Sequence, residues 1–246
     1  MSFSPESVRR LTRRELLIAS LGLTANAALG DDLRQISEGH KASRDPELGK
    51  FMTSIKARIE KKDYRALEAL MQPEFRVEFD SGKGPKAFHK YWQPESEQSP
   101  LWGVLNRLFA LNGAYYSDTL FVLPFVYKYF PIDLDPLAHA AVVSEQADLL
   151  ASPAADSAKV GTVGRSIITL AKPVELPIQV PFPSFLELNH PQVGKCFVAA
   201  SDIYLPAAHR AFFEKRNGRW HWISLVAGTM AEPPDLIEMR KAGISL

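Results

Sequence analysis

The stretch Ala211-Phe212-Phe213-Glu214-Lys215-Arg216-Asn217-Gly218-Arg219-Trp220-His221-Trp222-Ile223-Ser224-Leu225-Val226 decides how the chain is read. Ala211, Phe213 and Lys215 alternate into Asn217-Gly218, and Trp220, Trp222, Ser224 and Val226 alternate away from it. Asn-Gly accepts the positive φ angles of a two-residue turn, so the stretch predicts a β-hairpin. With both tryptophans facing inward, period two sends His221 to the opposite face, exposed or lining a groove. An isolated hairpin is marginal in water, so its partner strands must lie earlier in the chain.

Working back towards the N-terminus, Asp45-Pro46-Glu47 reads as a helix start: a capping carboxylate, proline at the first helical position and acid in the first turn. Leu48, Phe51, Met52, Ile55 and Ile59 recur at helical spacing, with Lys50, Lys56, Arg58 and Lys62 on the other face. Asp63 caps a second predicted helix that turns Leu67, Leu70 and Met71 inward and stops at Pro73. Phe75, Val77 and Phe79 alternate with Arg76, Glu78 and Asp80, the period of a half-buried strand. Two short helices are expected over 85–92 and 100–111, the second closed by Gly113. The aromatic, nearly charge-free run 120–130 suits a buried strand with Pro124 at an edge or bulge.

Pro131-Ile132-Asp133-Leu134-Asp135-Pro136 has the composition of a linker, and the texture changes after it. From His139 to Tyr204 short apolar runs alternate with proline and serine turns, as in a small β-barrel. Asp148-Leu149-Leu150-Ala151-Ser152-Pro153 and Ser157-Ala158-Lys159-Val160-Gly161-Thr162-Val163 resemble the opening of a bacterial SH3-like domain. Gly194-Lys195-Cys196-Phe197-Val198 and Ser201-Asp202-Ile203-Tyr204 are similar to its closing strand and final turn. Asp148 stands where that pattern has asparagine, and Cys196 where it has a second glycine.

The hairpin, with its Asn-Gly-Arg-Trp turn, resembles the last strand pair of a cystatin-like or nuclear-transport-factor-like α+β domain, and 45–130 resembles the first part of one. The expected fold class is therefore α+β: helices on a curved antiparallel sheet, with a small all-β SH3-like barrel inserted before the final hairpin. The expected division is an export signal over 1–30, a linker over 31–44, the α+β domain over 45–136 and 207–230, the barrel over 137–206, and a tail over 231–246.

At the N-terminus, Arg9, Arg10, Arg13 and Arg14 precede an apolar run from Leu16 to Leu29 that ends at Gly30 before Asp31 and Asp32. This is the layout of an export signal. About fourteen apolar residues fall short of the roughly twenty that a spanning helix needs, so no transmembrane anchor is expected in the mature form. Thr12-Arg13-Arg14-Glu15-Leu16-Leu17 resembles the twin-arginine export motif, which implies folding before export to the periplasm or beyond. Cleavage after Ala27 is preferred to cleavage after Gly30.

Lys and Arg number 29 against 28 Asp and Glu. Removing 1–30 takes four arginines and two glutamates and leaves 25 against 26. That balance offers no polycation for nucleic acid. One cysteine excludes an intramolecular disulfide and a thiolate metal cluster. The histidines form no His-Glu-x-x-His pair, and no nucleophile elbow, Walker loop or dinucleotide fingerprint occurs. Cys196, near His190, reads as a strand's core hydrophobe in preference to a nucleophile. Asp133 and Asp135 read as turn and cap residues in preference to a metal site. No catalytic residue, metal or cofactor is expected.

Tyr91, Trp92, Trp102, Phe109, Tyr115 and Tyr116 either fill the core under the helix, the preferred reading, or line an apolar pocket. Pro181-Phe182-Pro183-Ser184-Phe185 is a loop that either touches a peptide or glycan or packs against the α+β domain. The resemblance to SH3-like domains implies an exported, non-enzymatic binding or adaptor protein that contacts cell-wall peptide or another periplasmic protein. Phe182, Phe185, His190, Phe197 and Tyr204 are its expected binding residues. The alternative is a small-molecule-binding protein or enzyme using the α+β cavity, with Asp80, His89 and His209 as candidate ionisable groups.

Overall fold

The computed structural model describes residues 33–77, 81–176 and 182–228. The segment expected to be an export signal, with Arg13 and Arg14, the positions Phe79, Asp80 and Pro181, and the expected tail 231–246 lie outside the described residues.

Helix α1 (Pro46–Glu60) begins where Asp45 Oδ1 accepts the amides of Glu47 and Leu48 at 2.9 and 3.2 Å. It buries Leu48, Met52, Ile55 and Ile59. Asp63 caps α2 (Tyr64–Glu68) through the amide of Ala66. Pro73 does not end that helix as its sequence suggests; it stands within β1 (Met71–Arg76), an edge strand that tolerates a missing N–H. Then come α3 (Gly84–Trp92) and α4 (Leu101–Ala110). Gly113 does not close α4. It pairs with His40, and a Cβ there would collide with the Phe121 ring. The run 120–130 is not one strand: after β2 (Ala114–Ser117), β3 (Leu120–Leu123) stops at Pro124, and α5 (Val126–Tyr129) follows.

The chain next builds β4 (His139–Val142), β5 (Gln146–Leu150), β6 (Lys159–Gly164), β7 (Ile167–Thr169), β8 (Phe185–His190), β9 (Gly194–Ala199) and β10 (Ile203–Tyr204). These form a three-stranded sheet, β10-β4-β7, and a four-stranded sheet, β6-β5-β9-β8, joined where Leu170 bridges to Leu188. Leu149, Val163, Leu188, Cys196 and Val198 lie in their shared core. The chain then returns as β11 (Arg210–Arg216) and β12 (Arg219–Val226).

The returning hairpin enters the middle of a five-stranded sheet of order β1-β12-β11-β3-β2. Its turn residues Asn217 and Gly218 have φ of 50° and 77°, as the Asn-Gly signal requires. Neighbours are antiparallel except that β1 runs parallel to β12. The alternation does not continue through β12: Phe213 faces Trp222 but Phe212 faces Ser224, so Ile223 is a surplus residue and Ser224 leaves the face of the tryptophans. The architecture is α+β, with α1, α3 and α4 on the face carrying Phe75, Phe213 and Trp222.

Residues 33–41, expected as part of a linker, instead form a strap. Arg34 O accepts the amide of Ile167, Gln35 bridges to Ser166 and His40 bridges to Gly113. Ile36 is buried in the main core and Leu33 packs on the smaller one. The polar composition of the stretch concealed these two anchors. The Pro131–Pro136 stretch is likewise tied down, by the Arg34–Asp133 ion pair at 2.7 Å.

Asp45 Oδ2 accepts from Lys215 Nζ at 2.8 Å and from Trp220 Nε1 at 3.1 Å, so the cap of α1 is also bonded to the hairpin. The hydrogen bond from Lys215 holds the carboxyl down at about 2, against an ordinary 3.8, despite the opposing cost of its partial burial. Stability from this depressed value is fully present above about pH 4 and is lost as pH falls towards 2. Asp45→Asn keeps a capping oxygen but loses the ion pair, and is expected to cost about 1–2 kcal/mol at pH 7. Urea titrations at several pH values check this. The wild type should lose its advantage over the variant between pH 4 and 2, and an advantage independent of pH would contradict it.

Candidate binding surface

The space between the helices and the five-stranded sheet is packed with rings. Trp222, fully buried, lies 5.1 Å from Phe75, 6.1 Å from Phe88 and 6.2 Å from Phe213, centroid to centroid. Phe213 in turn meets Phe51, Phe109 and Phe121. Edge-on contacts dominate, the arrangement that ring quadrupoles favour. Trp92 and Trp102 are buried there too, while Tyr91 is exposed. Of the ionisable groups named for a cavity, Asp80 lies outside the described residues. His89 is exposed and paired with Glu95 at 2.9 Å, and His209 is buried with its ring 5.1 Å from Trp92.

The outer face of the four-stranded sheet is different. The register of β8 with β9 pairs Phe185 with Ala199, Glu187 with Phe197 and Asn189 with Lys195, so these six share one face. Leu150 of β5 pairs with Phe197 and extends that face. Phe185, Phe197 and Ala199 are half-buried. Two ion pairs flank the stripe: Lys195–Glu187 at 2.9 Å and Lys159–Asp148 at 2.7 Å. Lys195 Nζ also lies 5.9 Å from the Phe197 ring centroid. The result is an apolar strip about three strands wide between fixed charges of both signs, able to bed an extended chain.

Of the residues expected to bind, only Phe185 and Phe197 share that strip. His190 points to the inner face with Leu188, Cys196 and Val198, and Phe182 packs against the same core. Tyr204 is buried at the junction with the α+β layer, where its hydroxyl donates to His209 O. Arg107 of α4 reaches the same junction. It donates to Ala200 O and Ile203 O and lies 5.5 Å from the Tyr204 ring. Burial lowers the pKa of Arg107, opposed by Tyr204 and Asp202, and burial pushes the Tyr204 phenol up. Tyr204 therefore fastens two layers together. Its alternation within a closing strand gave no sign of this, because the partner layer is distant in sequence.

Cys196 is fully buried, and burial raises its thiol, which suits packing over nucleophilic chemistry. Asp133 is held by Arg34, and Asp135 Oδ1 accepts the amide of Leu137. Among the described residues no group of three or more His, Cys, Asp or Glu side chains could hold a metal ion. None of the described helices is long and apolar enough to cross a membrane. Sequence reasoning missed a cleft between β1 and β12, lined in part by Gln72, Arg76 and Arg216. Pro73, within β1, was its only local signal.

No family model matches the chain, and no curated relative matches it. Among solved structures, one from Xanthomonas campestris that carries the description of a calcium/calmodulin dependent protein kinase II association domain is similar. The identity is 10%, the match covers 80% of this chain and 97% of that one, and the TM-score is 0.28. At that score the likeness adds nothing to the strand order above.

His190 Nδ1 accepts the amides of Gln192 and Val193 at 3.3 and 3.4 Å, which leaves its proton on Nε2. Burial lowers its pKa from the ordinary 6.5. Protonation at Nδ1 would break both bonds and bury a charge. The stability contributed by the neutral ring is fully present above about 6.5 and declines as pH falls below it. Chemical denaturation between pH 7.5 and 5 should show a loss in the wild type that His190→Gln lacks. Parallel curves for the two proteins would contradict the assignment.

Proposed function

We propose that the chain is an exported, non-enzymatic binding protein whose SH3-like barrel contacts an extended peptide of the cell wall. The observation that carries this reading is the strip formed by Leu150, Phe185, Phe197 and Ala199 between the Lys195–Glu187 and Lys159–Asp148 pairs. A wall peptide presents amines, carboxylates and short apolar side chains, and the strip offers charges of both signs beside an apolar surface. The rings that fill the α+β layer support binding at the surface over chemistry in a cavity.

Purified chain from residue 31 onward is expected to be retained on peptidoglycan sacculi, and Phe185→Ala with Phe197→Ala is expected to abolish retention. Circular dichroism of that variant separates lost contact from lost fold, since both rings are only half-buried. Absence of retention in the wild type, or full retention by a folded double variant, would overturn the reading. Export by the twin-arginine route is tested separately. Arg13→Lys with Arg14→Lys should hold the full chain in the cytoplasm, and unchanged export would contradict it.

A further inference from the structure

One row of paired residues crosses the whole four-stranded sheet. Glu187 of β8 pairs with Phe197 of β9, Phe197 with Leu150 of β5, and Leu150 with Lys159 of β6. Directly opposed residues of antiparallel strands share a face, so all four belong to the strip. The row runs from a carboxylate on one outermost strand to an ammonium on the other, with two apolar residues between them. Three inter-strand steps put its ends about 14 Å apart.

The charges are not set out this way along the strands. Among the strip-facing residues β8 carries one charge, at Glu187, and β9 carries one, at Lys195. The ladder of β5 with β6 slips between Leu149 and Leu150, which pair with Gly161 and Lys159, so Val160 is a surplus residue. It stands 43% exposed next to Lys159, apolar surface that the fold leaves in water. Phe197 is half-buried, while Leu150, 8% exposed, forms only the floor. Lys159 and Glu187 already have partners, Asp148 and Lys195, which pair with Thr162 and Asn189 and so lie off the row. Ion pairs this exposed are worth little. An ammonium has three donors and a carboxylate several lone pairs, so each can take a second partner beside the first.

We infer that the row binds a short peptide with both ends free, laid across the strands with its amine at Glu187 and its carboxylate at Lys159. This rests on the strip being the peptide-binding face proposed above, and adds what that face reads. An extended chain advances about 3.4 Å per residue, so a tetrapeptide matches the row and a dipeptide reaches only one end of it. The charges fix the direction. A reversed peptide would set its amine on Lys159 and its carboxylate on Glu187, turning two attractions into two repulsions. Phe197 and Val160 supply the apolar surface on which small side chains between the two ends can rest.

The test titrates the chain from residue 31 onward with tetraalanine, N-acetyl-tetraalanine, tetraalanine amide and dialanine, followed by amide chemical shifts in NMR. Tetraalanine is expected to shift the amides of Leu150, Lys159, Glu187 and Phe197, with the other three peptides each about threefold to fivefold weaker. Glu187→Gln should weaken tetraalanine by the same factor and leave the N-acetyl peptide unaffected. Lys159→Gln should weaken tetraalanine likewise and spare the amide. Equal binding of free and blocked peptides would make the strip merely apolar and overturn the inference. So would the crossed pattern, with Glu187→Gln sparing the amide and Lys159→Gln the N-acetyl peptide, and so would no shift at all. Retention on sacculi reads the wall-peptide proposal separately: retention without tetraalanine binding overturns this inference alone, and tetraalanine binding without retention overturns only the wall as its source.

Discussion

The Asp45 carboxylate satisfies four donors drawn from opposite ends of the fold: the amides of Glu47 and Leu48 on one oxygen, Lys215 and Trp220 on the other. The first two start α1, and the last two belong to a hairpin about 170 residues further along the chain. One side chain thus fixes where the helix begins and which way it lies on the sheet. The order β1-β12-β11-β3-β2 makes the same demand on a larger scale, since neither β1 nor β3 has its inner neighbour until the last described strands arrive. A topology so dependent on distant pairing carries a high loop-closure cost and gains its stability late.

The β-rich unit could have hung loosely from such a sheet, since the chain leaves after β3 and returns only at β11. Three attachments hold it. Arg107 donates to two carbonyls at its last turn, Tyr204 donates to His209 O beside the start of β11, and the strap from Leu33 to Lys41 bonds to both units. The ring of Tyr204 and the side chains of Ala141 and Ile167 belong to the main core. Dry packing and buried charge-assisted hydrogen bonds act together here. Removing Arg107 would leave two buried carbonyls without their donor, which costs more than the bonds themselves contribute.

Local chemistry made much of this legible. The Asn217-Gly218 turn, the caps at Asp45 and Asp63, and the helices after Gly84 and Pro100 each rest on interactions spanning a few residues. What escaped depends on partners far away in sequence. The strap looked like a linker because its composition is polar, though Ile36 and Leu33 anchor it to the two cores. Ile223 as a surplus residue, and the parallel pairing of β1, could not be read without knowing which strand lies alongside. At the candidate surface, the sequence placed Phe185 in a loop and grouped it with Phe197 only as an expected binding residue, whereas β8 and β9 put the two on one face. The bounds of that strand were needed to turn His190 to the opposite face, and the distant unit that covers Tyr204 had no local sign.

The strip and the cleft each border a pair of strands joined at few positions. The β5 and β9 strands meet at the single register pair Leu150–Phe197, and β1 and β12 at two pairs separated by an arch. Inward-facing side chains of the sheets press into one of two cores of rings and branched chains. On the strip, Phe185, Phe197 and Ala199 stay half-buried and leave apolar atoms beside water. Such positions stabilise the isolated fold poorly, because part of their area is never removed from solvent. Their apolar surface remains available to a partner that completes the burial, so the places where the fold gains least from its own packing are the places equipped to gain from binding.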